Sequence, residues 1–222
     1  MRNYAVQITG LTPLLMHHDN IEWADHMDAW KADPGNKTQS KAGDDRTPAW
    51  RWIGCVYHDG KTVGMPQANI MRAIMEGGAL VPVPGGKSGK TFKSQTQSGM
   101  MSVELFWSLE LAGGGCVEWS EIEKMTDFAS FAENRAEARK LGFDLMVKRA
   151  KIGTSKHIRV RPVFALGWRL NGTLAVWDDQ ITDATLVQIL EYTGRYKGLG
   201  DWRPGGKTPG PYGTFTATVV AI

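Results

Sequence analysis

A chain of 222 residues, 42% hydrophobic and 22% charged, can bury a proper core, which argues against wholesale disorder. Its net charge of +3 is too small to identify a polyanionic partner, so the placement of charge matters more than its sum. Cys55 and Cys116 stand far apart with no second cysteine near either, which speaks against a zinc knuckle, a redox pair or a disulfide framework and leaves two buried apolar thiols.

The start, MRNYAVQITG, has no long apolar region, and no stretch approaches the ~20 apolar residues of a membrane span. A cytoplasmic protein without membrane contact is expected. Residues Tyr4 to Met16 read as a strand, with Val6 and Ile8 alternating against Gln7 and Thr9 until Gly10 and Pro13 intervene. Asp19 with Glu22 resembles a capping box, and Trp23, Met27 and Trp30 then recur at helical spacing. From Ala32 to Pro48 the chain is polar, rich in Gly, Pro and Lys and without period, so a long mobile loop that interrupts the core is expected.

Trp52 to Tyr57, a turn at His58-Asp59-Gly60, and Thr62 to Met65 suggest a hairpin. Pro66 then opens a helix with Ile70, Ala73 and Ile74 inward, which Gly77 and Gly78 end. Val81 to Ser98 reads as a second flexible segment, purely basic in its charge, and Val103 to Leu111 as a strand. Ser120 with Glu123 marks a capping box for a helix reaching Leu141. Arg159 to Trp177 is a hairpin turning at Asn171-Gly172 or one long bulged strand. Thr182 caps a helix with Leu186, Ile189 and Leu190 on one face, Gly194 closes it, and Tyr212 to Ile222 is the last strand. This order predicts an α+β fold in which helices cover one face of an antiparallel sheet, with the ferredoxin-like (RRM-like) sheet as the commonest solution; the free face of such a sheet often meets RNA.

Charge is segregated along the chain. Asp19, Glu22, Asp25, Asp28, Asp33, Asp44 and Asp45 load the N-terminal part, whereas no acidic residue lies between Glu76 and Glu104. In that acid-free stretch Lys87, Lys90 and Lys93 surround Phe92, which either stacks on bases or anchors the loop. A second basic cluster comprises Lys148, Arg149, Lys151, Lys156, His157, Arg159 and Arg161; it fits a phosphate-binding surface or a charged edge that discourages strand pairing. Trp107, Trp168 and Trp177 fit a core better than a stacking platform, while Trp202, in a glycine-rich loop, fits base stacking better.

That loop, GRYKGLGDWRPGGKTPGPYGTF from Gly194 to Phe215, interleaves glycines with Arg195, Lys197, Arg203 and Lys207 between a helix and a strand. Glycines allow close backbone approach and aim N–H groups at phosphate oxygens, so the segment is a plausible cradle for a sugar-phosphate chain; the alternative is a compact loop needing left-handed geometry, with Asp201 paired to Arg203. Gly198, Gly200, Arg203, Gly210, Gly213 and Phe215 resemble the glycine-rich loop of the RAMP superfamily of CRISPR-associated effector proteins. Pro66, Asn69 and Arg72 are similar to that family's proline-turn-helix motif, and Ile8 to Leu14 to its first strand; the three occur in the family's order.

The resemblance implies a single domain over residues 1–222, its core at about 1–16, 50–80, 100–118 and 159–222 and its helical and thumb-like hairpin insertions at about 17–49, 81–99 and 119–158. It also implies a backbone subunit that oligomerises along single-stranded nucleic acid, RNA before DNA, beside other effector subunits in an antiviral CRISPR-type ribonucleoprotein. The expected contacts are Arg72, Lys87, Lys90, Phe92, Lys93, Lys148, Lys151, Lys156, Arg159, Arg161, Lys197, Gly198, Gly200, Trp202, Arg203 and Lys207. The Asp201 to Pro204 element departs from the family's loop and leaves room for a phage or mobile-element protein that binds single-stranded DNA.

A RAMP-type endoribonuclease using His17, His18 or a nearby aspartate, Asp19 or Asp25, is the alternative, and an assembly protein with an acidic partner is the third reading. Glu22 and His26, four apart, supply two metal ligands and fit a polar helix surface better than a site, so no metal is expected. Walker, Rossmann, nucleophile-elbow and zinc-deaminase patterns are all missing from the sequence, so no cofactor is expected.

Overall fold

The computed structural model describes residues 1–39, 43–86, 89–152 and 154–222, with the side chains of 151, 152 and 155 left aside. In chain order its elements are β1 (Arg2–Gly10), β2 (Leu14–Leu15), α1 (Ile21–Ala32), β3 (Gly64–Pro66), α2 (Gln67–Gly78), α3 (Lys93–Ser98), β4 (Met100–Ser102), β5 (Phe106–Glu110), α4 (Trp119–Glu123), α5 (Phe131–Lys140), β6 (Asp144–Ile152), β7 (Ser155–Phe164), β8 (Arg169–Val176), α6 (Asp183–Tyr192) and β9 (Phe215–Ala221). Short 3₁₀ turns cover Pro34–Asn36, Arg51–Cys55 and Lys124–Asp127, and a π turn covers Thr193–Lys197. The fold is α+β, and its strands pair antiparallel. Among the described residues no helix is long and apolar enough to cross a membrane.

The chain divides into two compact units. One comprises Met1–Leu14, Gly64–Cys116 and Ala165–Ile222; the other comprises Leu15–Val63 and Val117–Phe164. The first unit is built on a sheet of order β3-β5-β8-β1-β9, with β4 also pairing β8. Tyr4, Val6 and Ile8 of β1 are buried on one face, as period-two alternation requires. Leu170, Leu174 and Val176 of β8, with Trp107 and Leu109 of β5, extend that face. Ile70, Ala73 and Ile74 of α2 and Leu186, Ile189 and Leu190 of α6 are buried as expected, and the two helices pack on each other. Each such Leu or Ile contributes roughly 1.5–3 kcal/mol on burial. Thr182 caps α6 as expected, accepting from the Thr185 N–H.

Several local expectations give way. The Arg159–Trp177 stretch is two strands in two sheets, divided at Gly167 (φ +87°) rather than at Asn171-Gly172. Gly172 lies inside β8 because a Cβ there would stand 2.0 Å from the Trp107 ring, which needs that space. Trp52 to Cys55 forms a 3₁₀ turn, not a strand, and residues 93–98 of the expected flexible segment form α3. The Ser120 helix breaks after one turn, and the capping box sits at Ser130 and Glu133, starting α5. Asn20, not Asp19, caps α1. Trp177 is 44% exposed and Cys116 is exposed, so neither is core.

The second unit is organised by the β6–β7 hairpin, paired from Asp144↔Val163 to Ile152↔Ser155 in a sheet of order β2-β7-β6. The polar segment expected to interrupt the core contributes to it: the Asp45 N–H donates to the Ile158 carbonyl, Gly43 accepts from Ile158, and Asp44 and Asp45 are buried. Trp52, 1% exposed, donates from Nε1 to Oδ1 of buried Asn134 on α5, giving each buried polar atom a partner.

Candidate nucleic-acid interface

In the first unit the glycine-rich segment is wound on itself. Gly198, Gly200 and Gly213 have φ of +67°, +78° and +69°, which only glycine adopts without strain. The Gly198 N–H donates to Thr193, Leu199 to Gly213, Gly205 to Lys197, Gly206 and Gly210 to Arg203, and Gly213 to Pro13. These amides are engaged within the protein, most of them inside the loop, so they do not form the expected cradle of outward N–H groups; Gly198 in particular is buried. Trp202 is held at φ +46°, its Nε1 donating to the Pro209 carbonyl and its ring 5.4 Å from that of Tyr212, half-exposed on the loop.

Two of the expected contacts meet on one carboxylate. Arg203 Nη1 donates to Glu76 Oε2 at 2.9 Å and Arg72 Nε to Glu76 Oε1 at 2.7 Å, so the glycine-rich loop is tied to α2 through Glu76. Burial works to raise the Glu76 pKa, but the bonds from Arg203 and Arg72 outweigh it and hold the carboxyl below its usual range. Arg203 also donates to the Lys197 carbonyl and is 18% exposed, so its place is structural. Phe92 is 2% exposed: it anchors its segment and is unavailable to a base, a correction of the stacking alternative. Lys90 and Lys93 are exposed, Lys197 is half-buried, Lys207 is exposed, and Lys87 lies outside the described residues.

The hairpin of the second unit gathers the other group. Across the register Lys148 faces Arg159 and Met146 faces Arg161, which puts Lys148, Arg159 and Arg161 on one face. Lys148, Arg149 and Lys156 are exposed, while Lys151 is opposite Lys156 by backbone register and its side chain lies outside the described residues. At the base of the hairpin Asp144 binds Arg135 and Arg139. Burial raises the Asp144 pKa, but those two guanidiniums and the Leu145 N–H outweigh it and bring it to about 2.

Arg159 and Arg161 open onto a cavity of about 480 Å³, whose walls also include His17, His18, Asp19, Trp23, Trp50 and Arg51. Its floor is Asp45, 6% exposed at the side chain, which takes Arg159 at 2.9 Å, Arg161 at 3.3 Å and Arg51 at 3.4 Å. Three guanidiniums thus converge on one carboxylate. Arg161 Nη2 also lies 3.0 Å from His17 Nε2, a contact in which arginine can only donate. The walls also include the Asp28–Lys31 pair of α1. Half-buried Trp23 and Trp50, with ring centroids 5.6 Å apart, form an aromatic wall.

Asp45, Arg51, Trp23 and Trp50 were not among the residues expected to bind. A buried aspartate inside a polar run has little local signature, since two of its three arginine partners lie 114 and 116 positions away. The Asp-Asp-Arg run at 44–46 before Pro48 and Trp50 was the one available signal. His17 and His18, singled out for catalysis, do line the cavity, whereas Glu22 does not. Among the described residues no three His, Cys, Asp or Glu side chains group to hold a metal. No protein-family model matches this chain. No curated protein matches it either.

Proposed function

We propose that this chain is a single-stranded nucleic-acid-binding subunit of the RAMP type, which coats a guide strand, RNA before DNA, in a CRISPR-type ribonucleoprotein and associates with copies of itself along it. The observation that carries the reading is the β6–β7 hairpin. Its strands carry Lys148, Arg149, Lys151, Lys156, Arg159 and Arg161 with one acid of their own, Asp144, which two arginines of α5 engage, while buried Asp45 takes Arg159 and Arg161. Cations spread along an extended two-stranded arm fit regularly spaced phosphates and give an affinity that falls steeply with salt.

The topology of the first unit lends support. β1–α2–β5 and β8–α6–β9 are two β-α-β halves, and in the order β5-β8-β1-β9 each half has a strand of the other between its own. That interleaving is what a ferredoxin-like split βαβ core has. The tie between Arg72 and the glycine-rich loop also joins two of the segments that resemble the family.

The test is fluorescence anisotropy of labelled single-stranded RNA and DNA over a salt series, with wild type and the Lys148→Ala/Lys156→Ala double variant. Lys148 and Lys156 stand on opposite faces of the hairpin by register, so a strand lying along one face loses one phosphate contact and the slope of log affinity against log salt falls by about 0.7. Equal affinity and slope in both proteins overturn the reading. The endoribonuclease alternative draws on His17 and His18 in the cavity wall, and shortening of the labelled RNA in the same samples would favour it.

A further inference from the structure

We infer that the cavity of the second unit is a nucleotide subsite, taking one unstacked nucleotide of the strand with its phosphate at the arginine end and its base against Trp23 and Trp50. The inference rests on the strand-binding reading above and deepens it. A volume of about 480 Å³ is that of a small-molecule site, which commonly spans about 300–1,000 Å³. The cavity is divided in a way that selects for a ligand with two unlike parts.

At one end Arg51, Arg159 and Arg161 converge on a single carboxylate. Asp45 fixes where these guanidiniums sit without neutralising them, so their forks are set in place before a phosphate arrives, and a planar fork matches phosphate oxygens. His17 Nε2 stands 3.0 Å from Arg161 Nη2 and steadies that guanidinium. Along the wall Trp23 packs on His26 at 5.1 Å and on Trp50 at 5.6 Å, which holds the indole while leaving it half-exposed. Base stacking on an aromatic side chain is worth roughly 1–3 kcal/mol and tolerates any base. The carboxylates Asp19 and Asp28 line the same cavity, and like charge keeps a phosphate away from their oxygens. An anion alone leaves the tryptophans unused, and an apolar ligand alone leaves the guanidiniums unmatched; a nucleotide uses both.

The experiment titrates intrinsic tryptophan fluorescence with nucleoside 5′-monophosphates, and in parallel with inorganic phosphate, ribose 5-phosphate and unphosphorylated nucleosides. The proteins are wild type, Arg51→Ala and Trp23→Leu, each checked for native circular dichroism; both substitutions fall on partly exposed side chains. Expected are saturable binding of the monophosphates, about tenfold weaker in Arg51→Ala and at least about fivefold weaker in Trp23→Leu. Inorganic phosphate or ribose 5-phosphate binding as tightly as the monophosphates removes the base from the cavity and overturns the inference. A labelled strand that binds the protein while the monophosphates do not, with Arg51→Ala and Trp23→Leu binding that strand like wild type, overturns the subsite and leaves the strand-binding reading standing. Failure of both strand and monophosphate to bind overturns both.

Discussion

Replacing Asp45 by asparagine separates stability from binding. The substitution keeps the shape and one acceptor oxygen but removes the charge on which Arg51, Arg159 and Arg161 converge at 3.4, 2.9 and 3.3 Å. Removing one partner of a buried ion pair typically costs ~3–5 kcal/mol, and the retained acceptor puts Asp45→Asn near the lower end, about 3 kcal/mol. For a chain of this length each kcal/mol moves the melting temperature by roughly 2–4 °C, so a loss of about 6–12 °C is expected by circular dichroism. Binding moves the other way. The arginine end gains one formal positive charge, and one added charge ~6 Å from a phosphate is worth about 0.7 kcal/mol at the dielectric of water and about 3 kcal/mol at an effective value of 20. With the amide oxygen of asparagine still accepting from the guanidiniums and keeping them in place, labelled oligonucleotide at a temperature where both proteins are folded should bind Asp45→Asn at least about threefold more tightly. A melting temperature unchanged within about 1 °C refutes the structural role given to Asp45, and weaker binding by the folded variant refutes the placement of phosphate beside it.

Two further substitutions test the frame. Asp144 is held at about 2 against an ordinary 3.8; at ~1.36 kcal/mol per unit this is roughly 2.5 kcal/mol, and the one-third exposure of the side chain reduces it to about 1 kcal/mol. Because the folded pKa lies below the unfolded one, this stabilisation is full above about pH 4 and is lost as pH falls through about 2, so the gap in urea midpoint between wild type and Asp144→Asn should be present at pH 7 and close toward pH 2. Gly213→Ala puts a methyl 1.8 Å from the Leu199 carbonyl oxygen at φ +69° and should cost at least about 2 kcal/mol in urea unfolding, whereas Gly113→Ala, with open space around its Cβ, should stay within about 0.5 kcal/mol.

What was legible in the sequence is what short-range chemistry decides. β1, α2 and α6 stand where alternation, Pro66, the inward Ile70–Ala73–Ile74 stripe and the Thr182 cap put them, because each signal lies within a few residues of the structure it specifies. β6 was missed because its outer half, Lys148, Arg149 and Lys151, is as polar as a loop, and only pairing with β7 makes it a strand. Asn171-Gly172 looks like a turn until Trp107, more than sixty positions away, is seen to need the missing Cβ. The site followed the same rule: the basic cluster could be counted, but the carboxylate that orders part of it could not be located from its neighbours.

That distinction divides the cations into two kinds with different work to do. Lys148 and Lys156 are exposed on long flexible stems, so in the proposed reading their part is the salt-dependent release of counterions from a strand, which favours no particular nucleotide. Arg159 and Arg161, at 28% and 11% side-chain exposure, are set in place by Asp45 when the unit folds. The rotamer entropy of a long side chain, up to about 2 kcal/mol, is thus lost in folding and not charged again against binding. A strand that met only the lysines would slide; one that also places a phosphate between ordered guanidiniums and a base on Trp23 is fixed in register. Cations that attract and cations that position thus occur on the same hairpin, and a single buried aspartate separates the two groups.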